Sequence, residues 1–173
     1  HGVIDAVVPL EVLRSTLDRT LKVVSDAPGD PPPAPEPEAL PDIPAWESVE
    51  ASRRPDRPGV GYLLRHGTTE RVLLSGTGVG EAATTVLALA RFGGQPAVVL
   101  GQQRVVGGSG SSSGRSAPAL RVGPAALREA RRGMALAAGL RLPLVLVIDT
   151  AGPALSAEAE QGGLAGEIAR CLA

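Results

Sequence analysis

The strongest constraint on how this chain can fold is a proline-rich segment near its amino end. Eight of the 16 prolines lie between Pro28 and Pro44, mixed with Asp, Glu and Ala. Proline removes a backbone hydrogen-bond donor and holds the chain extended, so this stretch is typical of neither helix nor strand. Periodic apolar sequence on both sides favours a linker over a tail. We therefore interpret residues 25–44 as a linker between two structured parts, residues 1–24 and residues 45–173.

Composition excludes several classes of function. The 17 Lys and Arg nearly balance the 18 Asp and Glu, which argues against a general nucleic-acid or anionic-membrane surface. Aromatic residues make up only 2%, so the core must consist of Ala, Val and Leu, and base stacking is not expected. One cysteine and two histidines argue against a disulfide framework and a cysteine-rich metal site, so we expect no metal.

The chain shows no membrane or export signal. Its longest apolar run, residues 142–148, is far shorter than a membrane span. The first residues contain no initiator Met and no signal-peptide core. We expect a cytoplasmic protein without nucleic-acid or membrane partners, and a chain that begins inside a longer one.

Apolar periodicity predicts short strands and helices on both sides of the linker. A β-branched run over residues 3–8, ending at Pro9, predicts a strand. From Leu10 the period changes to that of a helix. The apolar face of this helix consists of Leu10, Leu13, Leu17, Leu21 and Val24. Beyond the linker, the pattern predicts helices over residues 47–52, 60–64, 81–92, 124–138 and from Ser156, and strands over 72–74, 97–101 and 142–148.

Two glycine-rich stretches separate these elements. We interpret residues 76–80 as a turn, because Glu81 stands where a dinucleotide-binding loop requires its third glycine. Residues 107–114 contain only Gly and Ser and predict a flexible segment. Alternation of strands and helices predicts a parallel α/β arrangement with right-handed crossovers.

Burial follows from the same patterns. Strand 142–148 is expected to be buried, and Glu129 is expected to face solvent. On the last helix, Leu164, Ile168 and Leu172 are expected to mark the buried side.

Side-chain chemistry gives few candidates for catalysis. His66 lies in a polar stretch and is expected to be a solvated loop residue, and Cys171 is expected to pack on a helix. No Ser-His-Asp arrangement or metal spacing is present, so an enzyme of this sequence would depend on backbone amides. Residues 148–154 leave a strand and turn on Gly152, where a glycine permits close approach of a ligand. On spacing alone, a simple turn capped by Asp149 and Ser156 is the favoured interpretation.

Four blocks of sequence, in the same order, resemble the carboxyltransferase alpha subunit of acetyl-CoA carboxylase. They are Trp46 to Pro58 with its Arg-x-Pro-x-Arg-Pro run, Ala97 to Arg104 ending in Gly-Gln-Gln-Arg, Leu142 to Gly152 ending in Asp-Thr-Ala-Gly, and Ala157 to Arg170. Residues 2–9 are similar to the closing strand of the beta subunit. Together these resemblances imply a fused beta-alpha carboxyltransferase of the actinobacterial kind, with residues 1–24 from the beta-type half and residues 45–173 from a truncated alpha-type half.

The resemblance implies a fold, a reaction and partners. The fold is an α/β, crotonase-like spiral of ββα units, incomplete in this chain. The reaction moves a carboxyl group from carboxybiotin to the α-carbon of an acyl-CoA and gives a malonyl-CoA-type product for fatty acid synthesis. Biotin is the cofactor, held by a separate biotin carboxyl carrier protein or domain, and homo-oligomers form composite sites. Anions in this chemistry require preorganised amide donors.

The resemblance also implies a site. Gly152 would supply a catalytic backbone group. The biotin-side pocket would consist of Gln102, Arg104, Asp149, Thr150, Ala151 and Pro153. Ala151 replaces the family's proline and Arg104 its lysine, and a polar strand end that meets solvent is an equal interpretation of Gln102 and Arg104.

Two alternatives stay open beside this reading. For the basic turn of Arg53, Arg54 and Arg57, a surface or interface role is preferred over contact with CoA phosphates. The family's oxyanion loop follows the last helix, and the chain ends at Ala173 before it. The alternative functions are therefore a non-catalytic crotonase-like scaffold or dimerisation fragment, and a malonyl-type decarboxylase subunit.

Overall fold

A four-stranded sheet with helices on both faces forms the frame of the chain in a computed structural model. The structure describes residues 4–26, 30, 33–39, 41–54, 56–74, 85–103 and 121–173. The helices are α1 Leu10–Ser25, α2 Ala45–Ser52, α3 Val60–His66, α4 Pro124–Leu140, α5 Ala157–Gln161 and α6 Leu164–Leu172, and the strands are β1 Glu70–Leu74, β2 Thr85–Phe92, β3 Gln95–Gln102 and β4 Leu144–Val147. The predictions of α1, α2, α3, α4, β1 and β3 are confirmed.

The sheet is mixed, which corrects the predicted parallel arrangement. Its strand order is β1-β2-β3-β4. The β1–β2 and β2–β3 pairs are antiparallel, and only β3 and β4, with α4 between them in the chain, are parallel. Gly93 and Gly94 join β2 to β3 with φ values of 54° and 84°. Positive φ at both central residues is what a type I′ hairpin turn requires, and this turn sets the antiparallel pairing.

The prediction of a helix over residues 81–92 is wrong, because residues 85–92 form strand β2. Residues 87–91 are all buried, so the segment has no polar face that a surface helix would show. A short, continuously apolar run suits a strand covered on both faces as well as a helix, and periodicity alone does not separate the two. Residues 81–84 and the predicted turn at 76–80 lie outside the described residues.

Two apolar clusters lie on opposite faces of the sheet. One contains Val23, Leu87, Leu89, Val98, Leu100 and Ala137, which places α1 and α4 on that face. The other contains Val60, Leu64, Ala88, Ala90 and Val99, which places α3 on the opposite face. Every buried hydrophobic residue among those described is Ala, Val or Leu, so the predicted composition of the core is confirmed.

A glycine lets α3 lie directly on the sheet. A Cβ atom at Gly101 would lie 2.4 Å from Val60 Cγ2 and 2.7 Å from Val60 Cβ, closer than carbon atoms approach in packed interiors. Gly101 is next to the last residue of β3, so this contact fixes where the strand's carboxyl end meets α3.

Residues 4–8, the described part of the strand predicted over residues 3–8, do not form a strand. Ile4 and Val7 are 67% and 92% exposed. A strand needs a neighbouring backbone to pair with, and none of the described strands pairs with this segment. An ion pair holds it instead, because Arg132 Nη2 of α4 lies 2.6 Å from Asp5 Oδ2.

Helix α1 contacts the sheet through its last turns. Val23 is fully buried, whereas Leu10, Leu17 and Leu21 of the predicted apolar face are 80%, 52% and 57% exposed. Arg91 of β2 lies beneath the end of the helix. Its Nη1 donates to the carbonyl oxygens of Lys22, Val23 and Asp26, each at 3.1 Å, and its Nη2 donates to Gly94 O. A cation at a helix carboxyl end satisfies carbonyls that lack a partner within the helix.

The segment interpreted as a linker follows this anchored end. Residues 33–39 and 41–44 have neither helix nor strand and are exposed. The division of the chain into two halves and a linker stays a prediction. The predicted Gly/Ser segment, residues 107–114, lies outside the described residues.

Burial near the carboxyl end differs from the prediction at three places. Glu129 is 2% exposed rather than solvated, because its side of α4 faces the start of β2. Strand β4 is an edge of the described sheet, so Leu146 is 53% exposed rather than buried. The last predicted helix is two helices, since Gly163 has a φ of 82° between them. Of its predicted buried side only Leu164 is buried, because Ile168 and Leu172 are 39% and 83% exposed.

The structure also decides two predictions about single residues, Ser156 and His66. Ser156 is confirmed as a helix start, because its Oγ accepts a hydrogen bond from Ala159 N at 3.2 Å. His66 ends helix α3 instead of lying in a loop, with its ring 4.3 Å from that of Tyr62. Across the part of the chain that the structure describes, no helix is long and apolar enough to span a membrane.

Candidate functional site

The carboxyl ends of β3 and β4 bring predicted site residues together. Parallel strands end at the same edge of a sheet, which is where open α/β sheets bind ligands. Gln102 ends β3, and Asp149 follows β4. The backbone N–H of Asp149 donates to Gln102 Oε1 at 2.5 Å. Gln102 therefore contacts the loop after β4, and its role in a binding site stays a prediction.

The carboxylate of Asp149 binds an arginine from a distant part of the sequence. Arg57 Nη2 donates to Asp149 Oδ1 at 2.5 Å across 92 residues of chain, and the Asp149 side chain is only 14% exposed. Arg57 Nε also donates to the carbonyl of Ser52, the last residue of α2, at 3.1 Å. Arg57 is exposed, as the preferred surface role requires, and its guanidinium also contacts the loop after β4.

The other two arginines of this turn lie at the surface. Arg54 pairs with Asp56 at 2.6 Å, with both side chains more than 60% exposed. Arg53 lies over the Trp46 ring, 5.6 Å from its centroid. The turn thus contains three exposed arginines, of which Arg57 contacts the loop after β4.

A closed hydrogen-bonded loop follows Asp149. Gly152 N donates to Thr150 Oγ1 at 3.0 Å, and Thr150 Oγ1 donates back to Gly152 O at 3.2 Å. Val122 N also donates to Gly152 O, at 3.0 Å. Gly152 has a φ of 108°, in the region that favours glycine. The predicted catalytic N–H therefore has a hydroxyl acceptor within its own loop.

Two pockets adjoin this loop and share Val122 and Leu127. The larger, about 250 Å³, is almost wholly apolar; its walls are Val122, Leu127, Thr150, Gly152, Pro153, Leu164 and Ile168. The smaller, about 80 Å³, is lined in part by Gln102, Thr85 and Ile148. Thr150, Gly152 and Pro153 thus line the larger pocket, whereas Gln102 lines the smaller and Ala151 is exposed. Arg104 lies outside the described residues.

A buried carboxyl group lies next to the smaller pocket. The Thr85 hydroxyl donates to Glu129 Oε2. Burial raises the pKa of the Glu129 carboxyl above its usual range, although the Thr85 hydrogen bond and the charge of Arg132 partly lower it. Local sequence gave no signal for this group, because its neighbours on α4 are arginines and alanines typical of a solvated face. Within the described ranges, no group of three or more His, Cys, Asp or Glu side chains could hold a metal ion.

Comparison with known proteins supplies the family. A model of the carboxyl transferase domain matches residues 2–173. The chain belongs to the carboxyl transferase domain family. The family predicted from the four sequence blocks is confirmed, and the mixed α/β fold agrees with it.

Three curated relatives illustrate the range of similar proteins. A Mycobacterium tuberculosis protein named "Probable biotin-dependent acyl-coenzyme A carboxylase beta3 subunit" is 72% identical over 174 residues, which cover 100% of this chain and 33% of that protein. The "Acetyl-coenzyme A carboxylase carboxyl transferase subunits beta/alpha" of Parafrankia sp. is 32% identical, covering 99% of this chain and 32% of its own length. The "Acetyl-coenzyme A carboxylase carboxyl transferase subunit alpha" of Mesorhizobium japonicum is 35% identical, covering 74% and 41%. The chain thus spans about a third of the length of the first two relatives.

Proposed function

We propose that the protein containing this chain is the carboxyltransferase component of a biotin-dependent acyl-CoA carboxylase. The observation that carries the proposal is the carboxyl transferase domain match over residues 2–173. Relatives named as acyl-CoA and acetyl-CoA carboxylase subunits support it. The reaction would move a carboxyl group from biotin on a carrier protein to the α-carbon of an acyl-CoA, giving a malonyl-CoA-type product for fatty acid synthesis.

The larger pocket suits the ring system of biotin. Five of its seven wall residues are apolar, and the other two are Thr150 and Gly152. Biotin has apolar carbon edges and one polar ureido edge, so Thr150 and Gly152 would hold the ureido side and Leu127, Leu164 and Ile168 the carbon side. When bound, carboxybiotin would supply the carboxyl group that is transferred and leave as biotin. Apolar walls exclude water from that group.

In this proposal, the loop after β4 contributes a preorganised donor. Gly152 N–H donates to the neutral Thr150 hydroxyl at 3.0 Å. Hydrogen bonds to an ionised acceptor are roughly twice as strong as those between neutral groups. An anionic oxygen that develops during transfer would therefore compete well with Thr150 for this N–H. Donors aimed at developing charge are usually the largest contribution to such catalysis.

The remaining parts of the proposal concern the whole protein. The order β2, β3, α4 is one ββα unit, which supports a crotonase-like spiral completed by further units. We propose that residues 1–24 end a beta-type half and that residues 45–173 belong to an alpha-type half. Homo-oligomers with composite sites, a biotin carboxyl carrier protein and an acyl-CoA substrate complete the proposed assembly.

The test uses the full-length protein in the reverse direction, with malonyl-CoA and free biotin. We expect biotin-dependent formation of acetyl-CoA. Release of CO₂ from malonyl-CoA without biotin would indicate a decarboxylase. No reaction with malonyl-CoA or a longer carboxyacyl-CoA would indicate a non-catalytic scaffold.

A substitution of Gly152 ties this activity to the loop. An alanine at a φ of 108° is strained whatever space surrounds it, so Gly152→Ala should move the N–H and lower kcat by about 100-fold, the effect of losing one such donor. The matched control is Gly139→Ala, at an exposed helical position where a Cβ would meet nothing within 4 Å. Equal kcat values for the two variants would remove Gly152 from the mechanism.

A further inference from the structure

We propose that Arg57 is a positioning residue that holds the loop of residues 149–152 in its active shape. The proposal rests on the proposed function, because the loop is taken to serve the transfer reaction. Arg57 does not line either pocket that adjoins the loop. It acts through Asp149, the first residue of the loop.

Both ends of Asp149 are fixed by groups from other elements. Its carboxylate accepts from Arg57 Nη2 at 2.5 Å, and its backbone N–H donates to Gln102 Oε1 at 2.5 Å. Gln102 therefore fixes the position of the backbone, and Arg57 fixes the direction of the side chain. Gly152, with its unusual φ, lies three residues further on, so a displacement at Asp149 is passed along a short and constrained segment.

This ion pair is less exposed to water than its neighbour in the same turn. The Arg57 and Asp149 side chains are 37% and 14% exposed, compared with 65% and 63% for Arg54 and Asp56. Water screens a fully exposed pair strongly, and it screens a pair with one shielded partner less. The turn thus contains a functional pair and an internal control of the same residue types.

Arginine suits this role better than lysine. One nitrogen of Arg57 binds Asp149, while Nε binds the carbonyl of Ser52 at the end of α2. A lysine carries one compact ammonium group and lacks the planar fork that reaches two acceptors on different elements. Arg57 therefore connects α2 to the loop, which is a long-range contact between the first and third blocks of the family motif.

The experiment compares Arg57→Ala, Arg57→Lys and Arg54→Ala in the full-length protein. For Arg57→Ala we expect kcat of the biotin-dependent reaction to fall by about 10- to 100-fold, since a misplacement of about 1 Å can cost 100-fold. The KM for the acyl-CoA and the melting temperature should stay close to the wild-type values. Arg57→Lys should recover part of kcat, and Arg54→Ala should match the wild type.

A chemical rescue separates positioning from a general structural role. Guanidinium chloride at low millimolar concentration should restore part of the kcat of Arg57→Ala, whereas potassium chloride at the same ionic strength should not. Wild-type kinetics for Arg57→Ala would overturn the proposal. So would a parallel loss of kcat, acyl-CoA affinity and thermal stability, because that pattern indicates a folding defect.

Hydrogen–deuterium exchange keeps this test independent of the proposed function. Peptides that cover residues 149–154 should exchange faster in Arg57→Ala than in Arg54→Ala, with the rest of the protein unchanged. If the wild type lacks biotin-dependent activity, the proposed function fails, yet the exchange result still decides whether Arg57 holds the loop. Equal exchange in the two variants would overturn the Arg57 proposal alone.

Discussion

Gly101 offers the sharpest test of how the sheet and α3 fit together. In Gly101→Ala, the new Cβ would lie 2.4 Å from Val60 Cγ2, 2.7 Å from Val60 Cβ and 3.2 Å from Val147 Cβ. Rotation of the Val60 side chain relieves only the first contact, because a Cβ atom moves with the backbone. Helix α3 must therefore shift by about 1 Å to reach an ordinary carbon–carbon separation of roughly 3.5–4 Å.

The expected cost follows from this geometry. Overpacking of a core costs about 1–3 kcal/mol in unfolding free energy. We expect the upper end, about 3 kcal/mol, because Val60 is 1% exposed and its helix packs on the sheet through Leu64 as well. Denaturant unfolding of the full-length protein, followed by circular dichroism, measures this loss.

Two companion variants make the result decisive. Gly139→Ala, in a helix with open space around the new Cβ, should gain about 0.5–1 kcal/mol. Val60→Gly removes both clashing atoms, so the double variant should be less destabilised than the sum of the two single variants. The reasoning is refuted if Gly101→Ala is as stable as Gly139→Ala, or if the two losses simply add.

Two further predictions concern a buried acid and a helix cap. Because burial raises the pKa of Glu129, the folded protein binds its proton more tightly than the unfolded protein does, so stability is lost as pH rises from the usual carboxylate pKa through the raised one. The stability of Glu129→Gln relative to the wild type should therefore increase across that pH window and stay constant above it. Unfolding curves between pH 4 and 8 measure this difference in stability, and a difference that does not change with pH would contradict the prediction. Ser156→Ala removes the hydroxyl that accepts from Ala159 N and should cost about 1 kcal/mol in unfolding free energy, whereas Ser15→Ala, within exposed α1, should cost less; equal losses would contradict the role of the cap.

Local sequence predicted the helices and strands that have a clear apolar period or a clear boundary residue such as Gly or Pro. Helix α4 begins at a Gly-Pro pair and β3 is a short apolar run, and both lie where the pattern placed them. Strand β2 was missed because a continuously apolar run lacks a polar face from which a period can be read. The strand predicted over residues 3–8 was wrong for another reason, because a strand depends on a partner strand that local sequence does not show.

The site was predictable in part. The Asp-Thr-Ala-Gly run and Gln102 were selected through the family resemblance, and the structure brings Asp149 and Gln102 into contact. The contact of Arg57 with Asp149 spans 92 residues, and no local pattern reports such a distance. The sequence pointed to Arg57 only because this residue belongs to the Arg-x-Pro-x-Arg-Pro run. Burial of Glu129 depends on how α4 faces β2, which only the assembled sheet determines.

Arg91 changes what the proline-rich segment needs to do. Its guanidinium already holds the carbonyls of Lys22, Val23 and Asp26 against the hairpin, so α1 keeps its place without help from the segment that follows. As the predicted linker, that segment would contribute proximity, which raises the effective concentration of one part for the other. The hydrogen bonds of Arg91 to the end of α1 involve no residue of the segment beyond Asp26. Relatives with fused beta/alpha chains and relatives with a separate alpha chain both exist. A docking contact that held after a cut in the backbone would allow one gene or two to encode the same pair of halves.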